Sequence, residues 1–197
     1  MQSKPLRARE TVLASALKAF ARRGYAGTSM QDILRATGLS KPTAYYYFQS
    51  KAGLFRAILA FAYDESFRLM ESGLKGKTTC QARLVEVAAA LFDFAARHQN
   101  LTRLVFATVF ALPGEIPPNS IDPSKRQRNF ELVLQIVRAG QKAGELDSAY
   151  ATVELAHGIF GAISHQIRTH LIQPHGALDR RRAERIVALF YNGARKQ

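Results

Sequence analysis

Between Ser40 and Lys51 the chain reads SKPTAYYYFQSK. Two serines, a threonine, three tyrosines and two lysines stand here without a carboxylate. They offer hydroxyl donors, ammonium groups and flat rings. That set makes and breaks no bonds, but it suits a polyanion: hydroxyls and ammonium groups hold phosphates, and side chains at a helix start touch base edges. Twelve residues upstream, Thr28 and Ser29 place two more hydroxyls before an apolar run.

The elements that must position these groups are helices. An apolar stripe at Val12, Leu13, Ala16, Leu17 and Phe20 predicts a first helix over about 7–23, which Gly24 stops while Tyr25 folds back as the hydrophobic contact. Ser29 caps a second helix, with Asp32 three residues on in a capping-box relation. Gly38 ends that helix after about two turns. Ser40 caps a third, with Pro42 in the first turn, where a missing N–H costs little. Ser50 caps a fourth, from Lys51 to about Glu71. Two helices joined by a short turn containing glycine, the second opening on polar and aromatic groups, form a helix-turn-helix.

In that frame the residues take distinct expected roles. Ile33 and Leu34 pack on the first helix. Thr28 and Ser29 lie at the N-terminus of the second, where free N–H groups and the helix dipole hold a phosphate. Lys41, Pro42 and Thr43 form the end that enters the major groove, and Tyr46 follows about one turn on. Tyr47 reaches toward the sugar-phosphate chain, and Lys51 suits a second phosphate. Gln31 is a further base-contact candidate. Tyr45 divides between groove contact and packing between helices, and Phe48 belongs to the core. A solvated surface lysine is the plainer alternative for Lys51.

Charge agrees with this placement. The net charge is +13, and residues 1–56 hold ten Lys/Arg against two Asp/Glu. Most of the excess therefore sits in the first quarter, pointing to a polyanion partner there. The single cysteine, Cys80, rules out an internal disulfide and fits a cytoplasmic location. The N-terminus shows no signal peptide, and no run is apolar enough to span a bilayer. A helical module whose basic head meets a protein or membrane surface is the rival reading; the caps and tyrosine spacing argue against it.

GYAGTSMQDILRATGLSKPTAYYYFQSKAGLF resembles the N-terminal domain of TetR-type transcriptional regulators. The resemblance rests on Gly24-Tyr25, Thr28-Ser29, Ile33, Ala36-Thr37-Gly38, Ser40, Thr43, Tyr45, Phe48 and Lys51 in fixed register, and it covers about Val12 to Leu59. Two positions depart from the pattern. Ala44 replaces a larger aliphatic residue, lightening the packing under the third helix. Ala52 replaces an acidic residue, removing a local charge contact. The resemblance implies an all-α fold of about nine helices, with a helix-turn-helix DNA-binding domain over 1–56 and a helical ligand-binding and dimerisation domain over 57–197. It implies a homodimer on a palindromic operator in double-stranded DNA, usually repressing, released by a small-molecule effector. An activator of the same architecture is the nearer rival. Phosphate roles carry over to Thr28 or Ser29, Tyr47 and Lys51; groove roles carry over to Gln31, Lys41, Pro42, Thr43, Tyr45 and Tyr46.

Beyond a polar joint, SGLKGKTTC, the chain reads as helices over about 82–98, 101–112, 125–142, 150–171 and 179–194. The proline-rich segment 113–124 forms a loop. Helix 150–171 is apolar on more than one face, so it needs two partners, one of which is expected to be a second subunit. Gly158, Gly161 and Ala162 permit close approach. Helix 179–194, with Ile186, Val187, Leu189 and Phe190, joins it in an expected four-helix contact between copies. Phe92, Phe106, Phe110, His157, Phe160 and Ser164 are the candidate lining for a small apolar or aromatic effector, against the plainer reading of core phenylalanines.

No catalytic residue, metal site or cofactor is expected. His98, His157, His165, His170 and His175 lack zinc-binding spacing, Cys80 stands apart from them, and no nucleophile elbow, P-loop or dinucleotide glycine pattern occurs.

Overall fold

A computed structural model describes residues 4–174 and 176–194, the side chains of residues 4–6 excepted. His175 lies outside the described residues. Among these residues there are nine α-helices and no strand: α1 Lys4–Arg23, α2 Met30–Arg35, α3 Lys41–Phe48, α4 Lys51–Gly73, α5 Cys80–Arg97, α6 Gln99–Val109, α7 Pro123–Lys142, α8 Thr152–Ile172 and α9 Arg180–Ala194. The segment 110–122 is irregular apart from an isolated bridge between Pro113 and Ile116. No helix of the described residues is long and apolar enough to cross a membrane.

The helices gather into two compact units. The first comprises residues 1–62 and 100–122, the second residues 63–99 and 123–197. The expected division at residue 56 falls inside α4.

In the first unit α1 packs against α2 and α3. The stripe read from the sequence supplies Val12, Ala16 and Phe20 to the core, beside Ile33, Leu34, Ala44, Phe48, Leu54, Phe55, Ile58 and Leu59. Leu13 and Leu17 flank it, half-buried. Removing such side chains from water is the main term that holds α2 and α3 on α1, since helices of six and eight residues do not persist alone.

In the second unit α5 packs on α9 and α7, and α8 packs on α7 and α9. The core contains Met70, Leu84, Phe92, Val133, Val137, Ile159, Ile163 and Val187. Polar pins fix its elements. Lys125 and Arg128 on α7 both bond the Asp64 carboxylate on α4, at 2.6 and 3.0 Å. The Lys125 hydrogen bond, aided by Arg128, holds the Asp64 carboxyl below the usual carboxylate range. Buried Asn129 donates to the Tyr63 carbonyl and the Ser66 hydroxyl, both at 3.0 Å. Glu145 accepts the Cys80 backbone N–H at 2.9 Å and the Tyr191 hydroxyl at 3.1 Å, tying the start of α5 to α9.

Candidate nucleic-acid interface

The helix-turn-helix is set by short-range hydrogen bonds. The Ser29 hydroxyl accepts the Asp32 N–H at 3.1 Å, and the Asp32 carboxylate accepts the Ser29 N–H at 3.2 Å and hydroxyl at 2.7 Å. This is a complete capping box. These bonds, led by the hydroxyl, lower the Asp32 pKa, helped by Arg23 and Arg35. The turn after α2 passes through Gly38 at φ +66, a left-handed conformation that a side chain resists. Ser40 then caps α3: its oxygen accepts the Thr43 N–H at 3.4 Å and lies 2.8 Å from the Thr43 hydroxyl.

The joint from α3 to α4 is tighter. Gln49 adopts φ +60 and donates its N–H to the Tyr45 carbonyl at 2.8 Å. Ser50 caps α4 by accepting the Gly53 N–H at 3.0 Å. A Cβ on Gly53 would stand 2.1 Å from the Phe48 carbonyl oxygen, so only glycine lets α4 start this close to α3.

These constraints sort the α3 residues by face. Ala44 and Phe48 are buried beneath the helix, while Lys41, Pro42 and Tyr46 face solvent. Tyr46 is 81% exposed and meets the half-buried Tyr47 ring edge-on at 5.1 Å. Tyr45 and Thr43 are half-buried, and the Lys41 ammonium lies 5.6 Å from the Tyr45 ring centroid. Gln31 and Ser29 are exposed at the start of α2.

Two residues sit differently from the rest. Thr28 is 2% exposed, and its hydroxyl donates inward to the Gly24 carbonyl at 2.8 Å. The Lys51 ammonium donates to the carbonyls of Tyr25 at 3.0 Å and Thr28 at 2.9 Å, and lies 4.1 Å from the Tyr25 ring centroid. It therefore fastens the turn between α1 and α2 onto the start of α4. Burial raises the Tyr25 pKa, with Arg56 opposing. Sequence reasoning did not foresee the lysine's inward engagement, because both carbonyls lie on a different turn.

Residues 12–58 match the model described as bacterial regulatory proteins, tetR family. Residues 12–58 therefore form a tetR-family N-terminal domain. It is a helix-turn-helix transcriptional regulator. Among relatives, it is 40% identical over 92 residues to the transcriptional repressor ComR of Escherichia coli, covering 47% of this chain and 41% of ComR. It is 33% identical over 108 residues to the transcriptional activator FasR of Mycolicibacterium smegmatis, covering 55% of this chain and 49% of FasR. Among solved structures, a tetR-family regulatory protein of Rhodococcus RHA1 superposes over the whole of both chains with a TM-score of 0.82 at 19% identity. That likeness shows the all-α fold.

The candidate effector residues divide between the two units. Phe106 lies half-buried on α6 and Phe110 is 74% exposed just beyond it, both in the first unit. In the second unit Phe92 is fully buried on α5, while His157, Phe160 and Ser164 follow one another along α8. His157 stacks on Phe130 of α7 at 4.4 Å, and Phe160 meets the same ring edge-on at 6.0 Å. Phe130 was missing from the expected lining. Its signal was present: an aromatic residue on the apolar stripe that continues to Val133 and Val137 of α7. Among the described residues no group of His, Cys, Asp or Glu is placed to hold a metal ion.

Proposed function

We propose that this regulator is a homodimeric repressor that binds a palindromic operator in the cytoplasm and is released by a small apolar or aromatic effector. Residues 1–56 act as the DNA-binding head and residues 57–197 as the ligand-binding and dimerisation domain. The observation that carries the reading is Tyr46, 81% exposed on α3. A tyrosine so placed contributes little to the core, but it stands where this motif meets the major groove.

Around it, Lys41, Pro42, Thr43 and Tyr45 share the groove with Gln31. Ser29 and Tyr47 take phosphates. The buried Thr28 and the inward-engaged Lys51 shape the turn that presents them. Dimerisation uses α8 and α9, where Val153 and Leu189 are exposed and no other helix comes within 4 Å of the Cβ position of Gly161. Two heads then enter successive major grooves about 34–36 Å apart. An effector at the Phe130, His157 and Phe160 cluster favours the dimer whose heads no longer fit that spacing, through its differential affinity for the two states.

Selection of bound sequences from a random duplex pool tests this directly. A palindrome with half-sites one helical turn apart is the expected product. Enrichment of a single half-site, or of none, overturns the dimeric reading. Transcription in vitro from the selected site then gives the sign: loss of transcript for a repressor, gain for an activator.

A further inference from the structure

The first unit contains a cavity that the DNA-reading surface does not use. Its volume is about 420 Å³, within the rough range of 300–1,000 Å³ seen for small-molecule sites. The end of α1, the turn after it, the start of α4 and one side of α6 enclose it. Its base is aromatic: the half-buried Tyr25 ring lies 5.8 and 5.0 Å from the fully buried Phe20 and Phe55 rings, which meet each other at 5.2 Å. Leu104 and Ile116 extend the apolar wall, with Ala107 of α6 and Ala111 just beyond its end.

The charges around this floor do not balance. Arg23 and Arg103 line the cavity against one acid, Glu115. The Glu115 carboxylate already accepts the Leu112 N–H at 2.9 Å. Arg23 has only a long 3.7 Å pair with Asp32. Arg103 has no ion pair among the described residues and is exposed at the rim. An apolar floor beneath one uncommitted guanidinium fits a ligand with an apolar body and a single anionic end.

We propose that this cavity binds a small amphipathic carboxylate, its ring or short chain against Tyr25 and its carboxylate on Arg103. The pairing of a carboxylate with a guanidinium is bidentate and shape-matched, so it selects the acid over a neutral analogue. The site shares no lining residue with the candidate effector positions Phe92, Phe106, Phe110, His157, Phe160 and Ser164. It does touch Tyr25, whose carbonyl the Lys51 ammonium holds at 3.0 Å. A ligand here thus acts on the turn that fixes the start of α4.

Isothermal titration of the full chain with 4-phenylbutyrate and with neutral 4-phenyl-1-butanol tests the proposal. The expected result is one acid bound per chain, at least about tenfold more tightly than the alcohol. Arg103→Gln should abolish that preference. Ala107→Trp and, independently, Ala111→Trp should abolish binding of both compounds, with the helical circular dichroism of each variant retained. No binding of the acid at millimolar concentration overturns the proposal. So does binding that survives both tryptophan variants, or a preference that survives Arg103→Gln.

Discussion

The Lys51 ammonium lies 4.1 Å from the centroid of the Tyr25 ring and bonds the Tyr25 carbonyl at 3.0 Å. One side chain thereby satisfies two carbonyls of the turn after α1 and covers an aromatic face, a cation–π contact strengthened by partial burial. Because Lys51 also opens α4, the turn that leads into α2 and the joint that follows α3 are fastened at one point.

Lys51→Met should therefore destabilise the chain by about 1–3 kcal/mol, the usual cost of leaving a buried carbonyl, here that of Thr28, without its partner; the Tyr25 carbonyl keeps the Thr28 N–H at 3.3 Å. DNA affinity should fall at every salt concentration, while the slope of log affinity against log salt stays constant. A slope reduced by about 0.9 would instead show that a phosphate contact was lost. Chemical denaturation and a salt titration of DNA binding measure the two quantities.

Tyr46→Ala should leave unfolding within about 0.5 kcal/mol of the parent, as for other exposed positions. Discrimination between the preferred site and a site altered under α3 should drop by about 1–3 kcal/mol. Competition binding with the two duplexes gives the comparison; equal loss on both would assign the ring to the backbone.

Gly53→Ala should be among the most damaging single-methyl additions. The new Cβ would lie 2.1 Å from the Phe48 carbonyl oxygen, and neither backbone can yield without opening the joint between α3 and α4. A loss of at least about 2 kcal/mol is expected, with weakened DNA binding. Thermal melting of the variant beside the parent chain provides the comparison.

Burial, with the nearby Glu145 carboxylate, pushes the Cys80 thiol up to about 12. The folded state therefore holds the thiol proton more tightly than the unfolded chain does. Its contribution to stability is full below the unfolded value near 9 and is lost as pH rises toward the folded value. At pH 8 the native protein should resist iodoacetamide, and labelling should track unfolding in denaturant. Fast stoichiometric labelling without unfolding would contradict this.

Leu189→Glu places a carboxylate on a position that is 80% exposed in one chain. If α8 and α9 form the dimer contact, that charge is desolvated twice over in the assembly. Sedimentation should show monomers at micromolar concentration, with each chain still helical. A dimer unchanged by Leu189→Glu would move the interface elsewhere.

Much of the head was legible because its determinants are local. The hydroxyls of Ser29, Ser40 and Ser50 each accept an N–H three residues ahead, and Gly38 supplies the positive φ. Bonds of that reach depend on residue type and spacing, which a sequence displays. The periodicities that predicted the later helices are local in the same sense, and their bounds moved by only a few residues.

What the fold alone decided are the meetings of distant residues. Lys51 finds carbonyls 23 and 26 positions away. Phe130 is carried by α7 against His157 and Phe160 of α8, and α6 brings Arg103 to the aromatic floor of α1 and α4. Composition cannot announce such encounters, because each depends on how whole helices rotate and slide to bury their apolar stripes. The sequence by itself determined which residues stand at the helix starts of the helix-turn-helix; the tertiary packing decided that Thr28 and Lys51 turn inward, leaving Tyr46 as the most exposed ring of α3.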